Sequence, residues 1–311
     1  MSPSQRQLPD PDRPDPHRID PGRVDSARPD PVVEAASNET HAGFVRRPIR
    51  RFRAGKVAQL TDSIAEEVPI AFVYNDRPHV VMMATPRDLA DFALGFSLSE
   101  AVIGSAGELT SIETNTLLEG IEIRLSIPEA RAEALESRRR NLTGRTSCGL
   151  CGAQALEDAV RQPPAVSGGP EISAEILQRT LAQLHDRQPL NVATGATHAA
   201  AWARADGDVA LLREDVGRHN ALDKLIGAMS KSGVRVDEGF LVVTSRASYE
   251  MVQKSATIGI TLLAAISAPT ALAIHLAEET GMTLIGFARP EGHVVYANSE
   301  RIVRATAGNV A

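Results

Sequence analysis

Residues 240–288 read FLVVTSRASYEMVQKSATIGITLLAAISAPTALAIHLAEETGMTLIGFA. An apolar run at Phe240–Thr244 ends in the polar cluster Thr244–Ser248, and similar runs recur at Leu262–Ile266 and Thr283–Ala288. Between them, 249–259 and 270–279 carry helical spacing, so the stretch predicts strands alternating with helices. Such alternation implies an α/β unit with a mostly parallel sheet covered on both faces, whose ligands sit beyond the carboxyl ends of the strands. Residues 257–277 carry no charge, and about 20 apolar residues can span a bilayer. Pro269 interrupts this run and Ser267 and His275 lie within it, which divides it into a strand, a turn and a helix start instead.

Working outward, Thr197–Ala203 and Val209–Arg213 flank Asp206–Gly207 as a hairpin, a helix pattern covers 220–231, and Val294–Ala297 supplies a last strand. Together these define a larger α/β domain over 190–306. Upstream, 43–140 reads as a smaller mixed (α+β) domain. Pro69–Tyr74 and His79–Ala84 flank the turn Asn75–Asp76–Arg77–Pro78, and Thr85 is placed to cap a helix with Pro86 and Asp88 in its first turn. That helix has the apolar face Leu89, Phe92, Ala93 and Phe96; strands near Ile112 and Ile121–Leu125 and a helix from Pro128 to Arg140 follow. Residues 141–189 form a cysteine-bearing connecting loop with linker helices at 154–160 and 173–184. Residues 1–42 hold eight of the chain's 19 prolines among alternating Arg and Asp, the composition of a disordered tail.

The whole chain of 311 residues is 43% hydrophobic and 23% charged, values of a soluble globular protein that exclude fibrous and wholly disordered classes. A net charge of −6 argues against a protein that coats nucleic acid or an anionic membrane. The N-terminus lacks the apolar core of a secretory signal, and two cysteines, Cys148 and Cys151, point to a reducing, cytoplasmic setting.

Those cysteines stand in Ser147–Cys148–Gly149–Leu150–Cys151–Gly152, after Arg138, Arg139, Arg140 and Arg145. A structural zinc site needs four ligands, and the chain has neither a second cysteine pair nor a paired-histidine unit. A thioredoxin-like dithiol sits between a strand and a helix, whereas this pair lies mid-chain among glycines. Inert thiols prefer apolar surroundings. The remaining reading is a reactive thiol that accepts a group and hands it on, since nearby arginines favour the thiolate and glycines leave sulfur approachable. Further along, Arg213–Lys224 packs six kinds of polar side chain around a helix start, and Thr244–Ser248 repeats that setting with Arg246. Either segment could cradle an anion on free N–H groups, or be a solvated ion-pair face and an ordinary cap. Thr194–Gly195–Ala196–Thr197–His198 is a third such candidate, and Arg289 falls at a sheet end.

The combination resembles the formate dehydrogenase accessory sulfurtransferases, the FdhD family, over roughly residues 60–303. The likeness rests on Met83–Pro86 with Gly95–Phe96 and Ser99–Glu100, on Ser147–Gly152, on Thr194–Ala200, on Arg213–Lys224, on Ser245–Lys254, on Ile266–Thr270 and on Leu284–Arg289. The resemblance implies a sulfur carrier that takes sulfur from a cysteine desulfurase as a persulfide and delivers it to the molybdenum (or tungsten) bis-molybdopterin guanine dinucleotide cofactor required by formate dehydrogenase. It implies the persulfide on Cys148, an accessory role for Cys151, and cofactor contacts at Phe287, Ala288, Arg289, Pro290, Glu291 and Gly292. Arg218, His219, Arg246 and Lys254 are further expected pocket residues. The larger domain is similar to the cytidine-deaminase fold without the deaminase zinc signature, so no protein-ligated metal is expected. A homodimer is expected, with neither nucleic acid nor membrane as partner. The alternative is a chaperone that holds the cofactor without covalent chemistry.

Overall fold

The computed structural model describes residues 42–143 and 162–303. The tail expected over 1–42 (Ala42 apart), Cys148 and Cys151, and the helix expected at 154–160 lie outside the described residues.

The larger sheet has six strands in the order β13-β12-β11-β10-β8-β9. They are β8 (His198–Arg204), β9 (Val209–Asp215), β10 (Gly239–Val243), β11 (Leu262–Ala265), β12 (Thr283–Arg289) and β13 (Gly292–Ala297). Only β10–β11 and β11–β12 pair in parallel; β8–β9, β8–β10 and β12–β13 are antiparallel. This corrects the expectation of a mostly parallel sheet. The two edge hairpins turn back through short links that cannot carry a crossover, which needs about a dozen residues. Helices α5 (Arg218–Lys231), α6 (Tyr249–Thr257) and α7 (Ala271–Thr280) pack with Trp202, Leu241, Val243 and Leu263 on one face. Phe240, Val242, Leu262 and Ile285 point to the other face, against Leu177 and Leu184 of α3 (Ala174–Leu184). Alternate side chains of one strand thus enter different cores, so both faces are covered. Residues 257–277 divide into the end of α6, β11, a loop and the start of α7. Among the described residues, no helix is long and apolar enough to cross a membrane.

The smaller sheet has the order β4-β3-β6-β5, from β3 (Val68–Tyr74), β4 (Arg77–Ala84), β5 (Ser111–Thr116) and β6 (Ile121–Ser126). Its first hairpin closes through Asn75 and Asp76 alone, both with positive φ (45° and 62°), a two-residue turn suited to the right-handed twist of its strands. Helix α1 (Leu89–Ser99) buries Phe92 and Phe96 against Phe72 at 5.1 and 5.0 Å, and α2 (Glu129–Thr143) buries Ala132 in the same core. Thr85 does not cap α1. Asp88 occupies that position in a left-handed conformation, and Thr85 instead reaches across to the larger sheet, as described below.

The two layered units meet where α1 crosses α5, and each helix has a glycine at the crossing. A Cβ on Gly95 would lie 1.7 Å from the Asp223 carbonyl oxygen, and one on Gly227 would lie 1.9 Å from that of Asp91. Backbone therefore rests on backbone at both positions, and no side chain fits between them.

A separate two-stranded sheet, β1 (Phe44–Arg53) with β2 (Lys56–Ala65), precedes the smaller sheet. Its sequence has no continuous apolar run, which is why periodicity misses it; it closes through Ala54–Gly55, both with positive φ. A short helix, α4 (Pro189–Thr194), packs beside β2. Finally, β7 (Ile172–Ser173) pairs with β14 (Ile302–Val303).

Gly95→Ala should destabilise the fold by about 3 kcal/mol despite alanine's better helix propensity, because overpacking forces the helices apart. Thermal unfolding of this variant should show a clearly lowered Tm. Gly107→Ala, whose added Cβ meets nothing within 4 Å, should leave the Tm nearly unchanged.

Candidate functional site

The polar segment at 213–224 meets the smaller unit along the α1–α5 crossing. Arg213 donates to Asp91 at 2.7 Å and lies 3.3 Å from Asp88, while Lys231 reaches the other Asp91 oxygen at 2.7 Å. Asp215 and Lys224 are wholly buried and 2.6 Å apart. Lys224 also donates to the Thr85 carbonyl at 2.8 Å, the Thr85 N–H donates to Asp215 at 3.0 Å, and the Val216 N–H donates to the Thr85 hydroxyl at 3.2 Å. Asn220 bridges Asp215 and the Met83 carbonyl. Glu214 accepts from the N–H groups of Leu190 and Asn191, at the start of α4, and from Thr197. Most of this segment is thus neither an anion cradle nor a solvated face: it joins the units through buried, charge-assisted bonds.

A second buried cluster forms around Asp223, the residue before Lys224 on α5. Lys254 Nζ is within 3.0 Å of both Asp223 carboxylate oxygens, 2.8 Å from Glu100 and 3.1 Å from Ser99 Oγ. Ser99 donates to Asp223 at 2.6 Å, and the Lys254 ammonium stands 5.2 Å from the Phe96 ring centroid. Burial pushes the Asp223 carboxyl above its usual value despite the pull of Lys254. For Lys254, burial opposes the charge, but Asp223 and Glu100 outweigh it and hold the ammonium above its ordinary pKa.

These groups form the floor of a cleft of about 590 Å³ between α1, β4, α5 and α6. Met82, Met83 and Phe96 line one side, and His219, Tyr249, Glu250 and Lys254 the other. His219 Nε2 lies 2.7 Å from Glu250 and 3.4 Å from the Ser248 hydroxyl. Burial, with Arg218 and Lys254 nearby, lowers the pKa of His219 below the usual imidazole value against the attraction of Glu250. Of the four expected pocket residues, His219 and Lys254 line this cleft, whereas Arg218 and Arg246 do not. Arg246 is exposed at the loop before α6. Arg218 opens α5, and its Nε is buried without a hydrogen-bond partner among the described residues.

In two of the expected cradles, one residue each has a role in the fold. Thr244 Oγ1 accepts from the Ala199 N–H at 2.8 Å, and Gly195 is the left-handed C-cap of α4 (φ 65°). His198, half-buried at the start of β8, has a pKa lowered by burial and by Arg218. The 287–292 stretch ends β12 and begins β13, away from the cleft lining. Phe287 is 39% exposed with a left-handed φ of 50°, Arg289 stacks 5.9 Å from its ring, and the Arg289 carbonyl accepts from Gln178. No cluster of three or more metal-ligating His, Cys, Asp or Glu side chains occurs among the described residues. Sequence reasoning gave no role to Met82, Tyr249 or Glu250, because only the pairing of distant elements brings them to one cleft.

The residue profile of the FdhD/NarQ family matches residues 65–303. The chain belongs to the FdhD/NarQ family. It is 54% identical over 267 residues to the sulfur carrier protein FdhD of Xanthomonas euvesicatoria pv. vesicatoria (strain 85-10), covering 86% of this chain and 95% of that relative. A protein of the same name from Cupriavidus necator is 52% identical over 267 residues, with 86% and 92% covered. The crystal structure of a protein described as a formate dehydrogenase accessory protein, from Desulfotalea psychrophila, superposes with a TM-score of 0.67 at 23% identity. That likeness covers 84% of this chain and all of the other, and shows a shared fold. FdhD/NarQ membership and the named relatives support a general role in sulfur transfer.

Lys254→Met should cost about 3–5 kcal/mol in urea unfolding, because it leaves Asp223 buried with no cation. Adding Asp223→Asn should recover much of that loss. Acidification acts on His219 in a defined direction. Its folded pKa is depressed, so the unfolded chain takes up the proton first, and stability should fall as pH drops below about 6.5 towards the folded value. Urea midpoints measured across that range should vary less with pH in His219→Gln.

Proposed function

We propose that the chain accepts sulfur as a persulfide on Cys148 and transfers it to the molybdenum bis-molybdopterin guanine dinucleotide cofactor needed by formate dehydrogenase. The carrying observation is that Cys148 and Cys151 are the chain's only thiols, in a sequence matched over 86% of its length by proteins named sulfur carriers. In the first step the Cys148 thiolate attacks the outer sulfur of a persulfide on a cysteine desulfurase. One S–S bond forms at Cys148, the donor's S–S bond breaks, and the donor leaves as a thiolate, so the exchange needs no outside oxidant. Arg145 and the run 138–140 favour the thiolate over the thiol. Cys151 has an accessory role.

The acceptor is a large polyanion and is substrate rather than resident cofactor. Helices α5, α6 and α7 all begin at the carboxyl end of the parallel strands, where partial positive charge and free N–H groups suit phosphate. Arg218, with its unpartnered Nε, belongs to this end, as do Arg246, Phe287, Ala288 and Arg289; Pro290, Glu291 and Gly292 continue the contact stretch. The strained backbone of Phe287 supports a binding role for that turn. The cleft with His219 and Lys254 lies along α5 and α6. A cytidine-deaminase-like fold for the larger domain, a homodimer and a cytoplasmic setting belong to the same reading.

Intact-protein mass spectrometry after incubation with a cysteine desulfurase and isotopically labelled cysteine tests it on wild type, Cys148→Ala and Cys151→Ala. A reductant-removable sulfur should map to Cys148 and be lost only in Cys148→Ala. No sulfur gained, with guanine nucleotide still bound tightly, would favour a cofactor chaperone without covalent chemistry.

A further inference from the structure

The β1–β2 hairpin contributes no side chain to the cores of the two units, and α4 packs beside β2. On β1 it carries Arg46, Arg47, Arg50, Arg51 and Arg53, with Lys56 at the turn, against one carboxylate, Asp62, in a chain of net charge −6. None of the five arginines has an ion-pair partner among the described residues. Apolar side chains are interleaved with them and left in water: Phe52 is 74% exposed and Val57 59%, and Leu60 and Ile64 are exposed as well. A two-stranded sheet in that state is marginal on its own, and so concentrated a charge is a binding feature rather than a packing one.

The register says what kind of ligand fits. The turn Ala54–Gly55 closes on the pair Arg53–Lys56, and alternation from there places Pro48 opposite Thr61 in a non-hydrogen-bonded pair. The position of the missing N–H is therefore on the outer edge of β1, where proline blocks strand addition. On β2 the N–H groups of Val57, Gln59 and Thr61 face outward, and among the described residues no third strand pairs with them. That edge accepts an extended polypeptide, and the arginines of the neighbouring strand supply charge within side-chain reach. The arginines leave both faces of β1, so no single plane collects them as a bilayer surface requires. The exposed apolar residues between them favour a partner carrying apolar side chains over bare phosphates.

We propose that the β1–β2 hairpin is a docking arm for an extended acidic segment of a partner protein, paired on the outer edge of β2. The proposal does not depend on the sulfur chemistry. Its test uses the full chain and a short fluorescein-labelled peptide alternating glutamate with valine and threonine, followed by fluorescence anisotropy at several salt concentrations. Binding should weaken with salt and fall about tenfold or more in Arg47→Glu/Arg51→Glu. It should also weaken in Gln59→Pro, which removes an outward N–H as Pro48 does on β1. Unchanged circular dichroism and Tm would show that both variants fold, and a peptide with glutamine in place of glutamate should not bind. The proposal is overturned by no binding, by binding indifferent to either variant, or by tighter binding of single-stranded DNA or phosphatidylglycerol vesicles. A sedimentation coefficient that shifts on charge reversal, with no peptide bound, overturns it in favour of contact between copies of this chain.

Discussion

The contact between the Gly95 and Gly227 backbones is the constraint on which the rest of the molecule depends. A Cβ at either position would overlap a carbonyl oxygen of the facing helix, so α1 and α5 approach as closely as two helices can. That approach brings Ser99 within 2.6 Å of Asp223 and Asp91 within 2.7 Å of both Arg213 and Lys231. Loosening the crossing by even a methyl group would lengthen these bonds while leaving their charges partly desolvated. Steric closeness and electrostatics are thus coupled, and the cleft inherits its walls from both.

Buried ion pairs seldom add much net stability, because removing two charges from water costs nearly what their attraction returns. Lys224–Asp215 and Lys254–Asp223 are therefore better understood as orienting devices. Each lysine holds groups from separate elements: Lys224 holds Thr85 and Asp215, and Lys254 holds Glu100, Ser99 and Asp223. An apolar substitute could fill the space but could not fix the rotation of α5 against α1 or the placement of the loop at Thr85. Since Asp223, Glu100 and Lys254 line the cleft, its shape depends on these directional bonds as well as on packing.

This also explains what could be read from the chain and what could not. Strands at 240–244 and 262–266 and the helices between them were legible because their burial follows local periods. The polar block at 213–224 was visible as unusual, yet its meaning lay in partners more than 100 positions away, such as Thr85, Asp91 and Ser99. Thr85 followed by Pro86 and Asp88 has the local look of a helix start, and tertiary bonding overrides it. The β8–β9 hairpin is legible from its turn at Asp206–Gly207. The antiparallel courses of β13 and of β8 against β10 are not, because local alternation does not state which way a strand runs, although the short link 290–291 states it for β13.

The charge inside the cleft bears on how a sulfur acceptor would lie in the proposed scheme. Lys254 faces two carboxylates, Asp223 and Glu100, and His219, whose pKa is depressed, faces a third, Glu250. With the imidazole neutral the cleft holds more negative than positive charge, so it repels phosphate and suits a group that donates hydrogen bonds or stacks against Phe96 and Tyr249. Phosphates fit better outside it, at the helix starts near Arg218, where the backbone contributes positive potential, although Asp215 already accepts the Gly217 N–H there. Protonating His219 would shift that balance, bringing a positive charge to the boundary between the two regions at the pH where the fold itself begins to weaken. A polyanionic acceptor would then be held most selectively when the histidine is neutral, with its uncharged part in the cleft and its charged part at the sheet end.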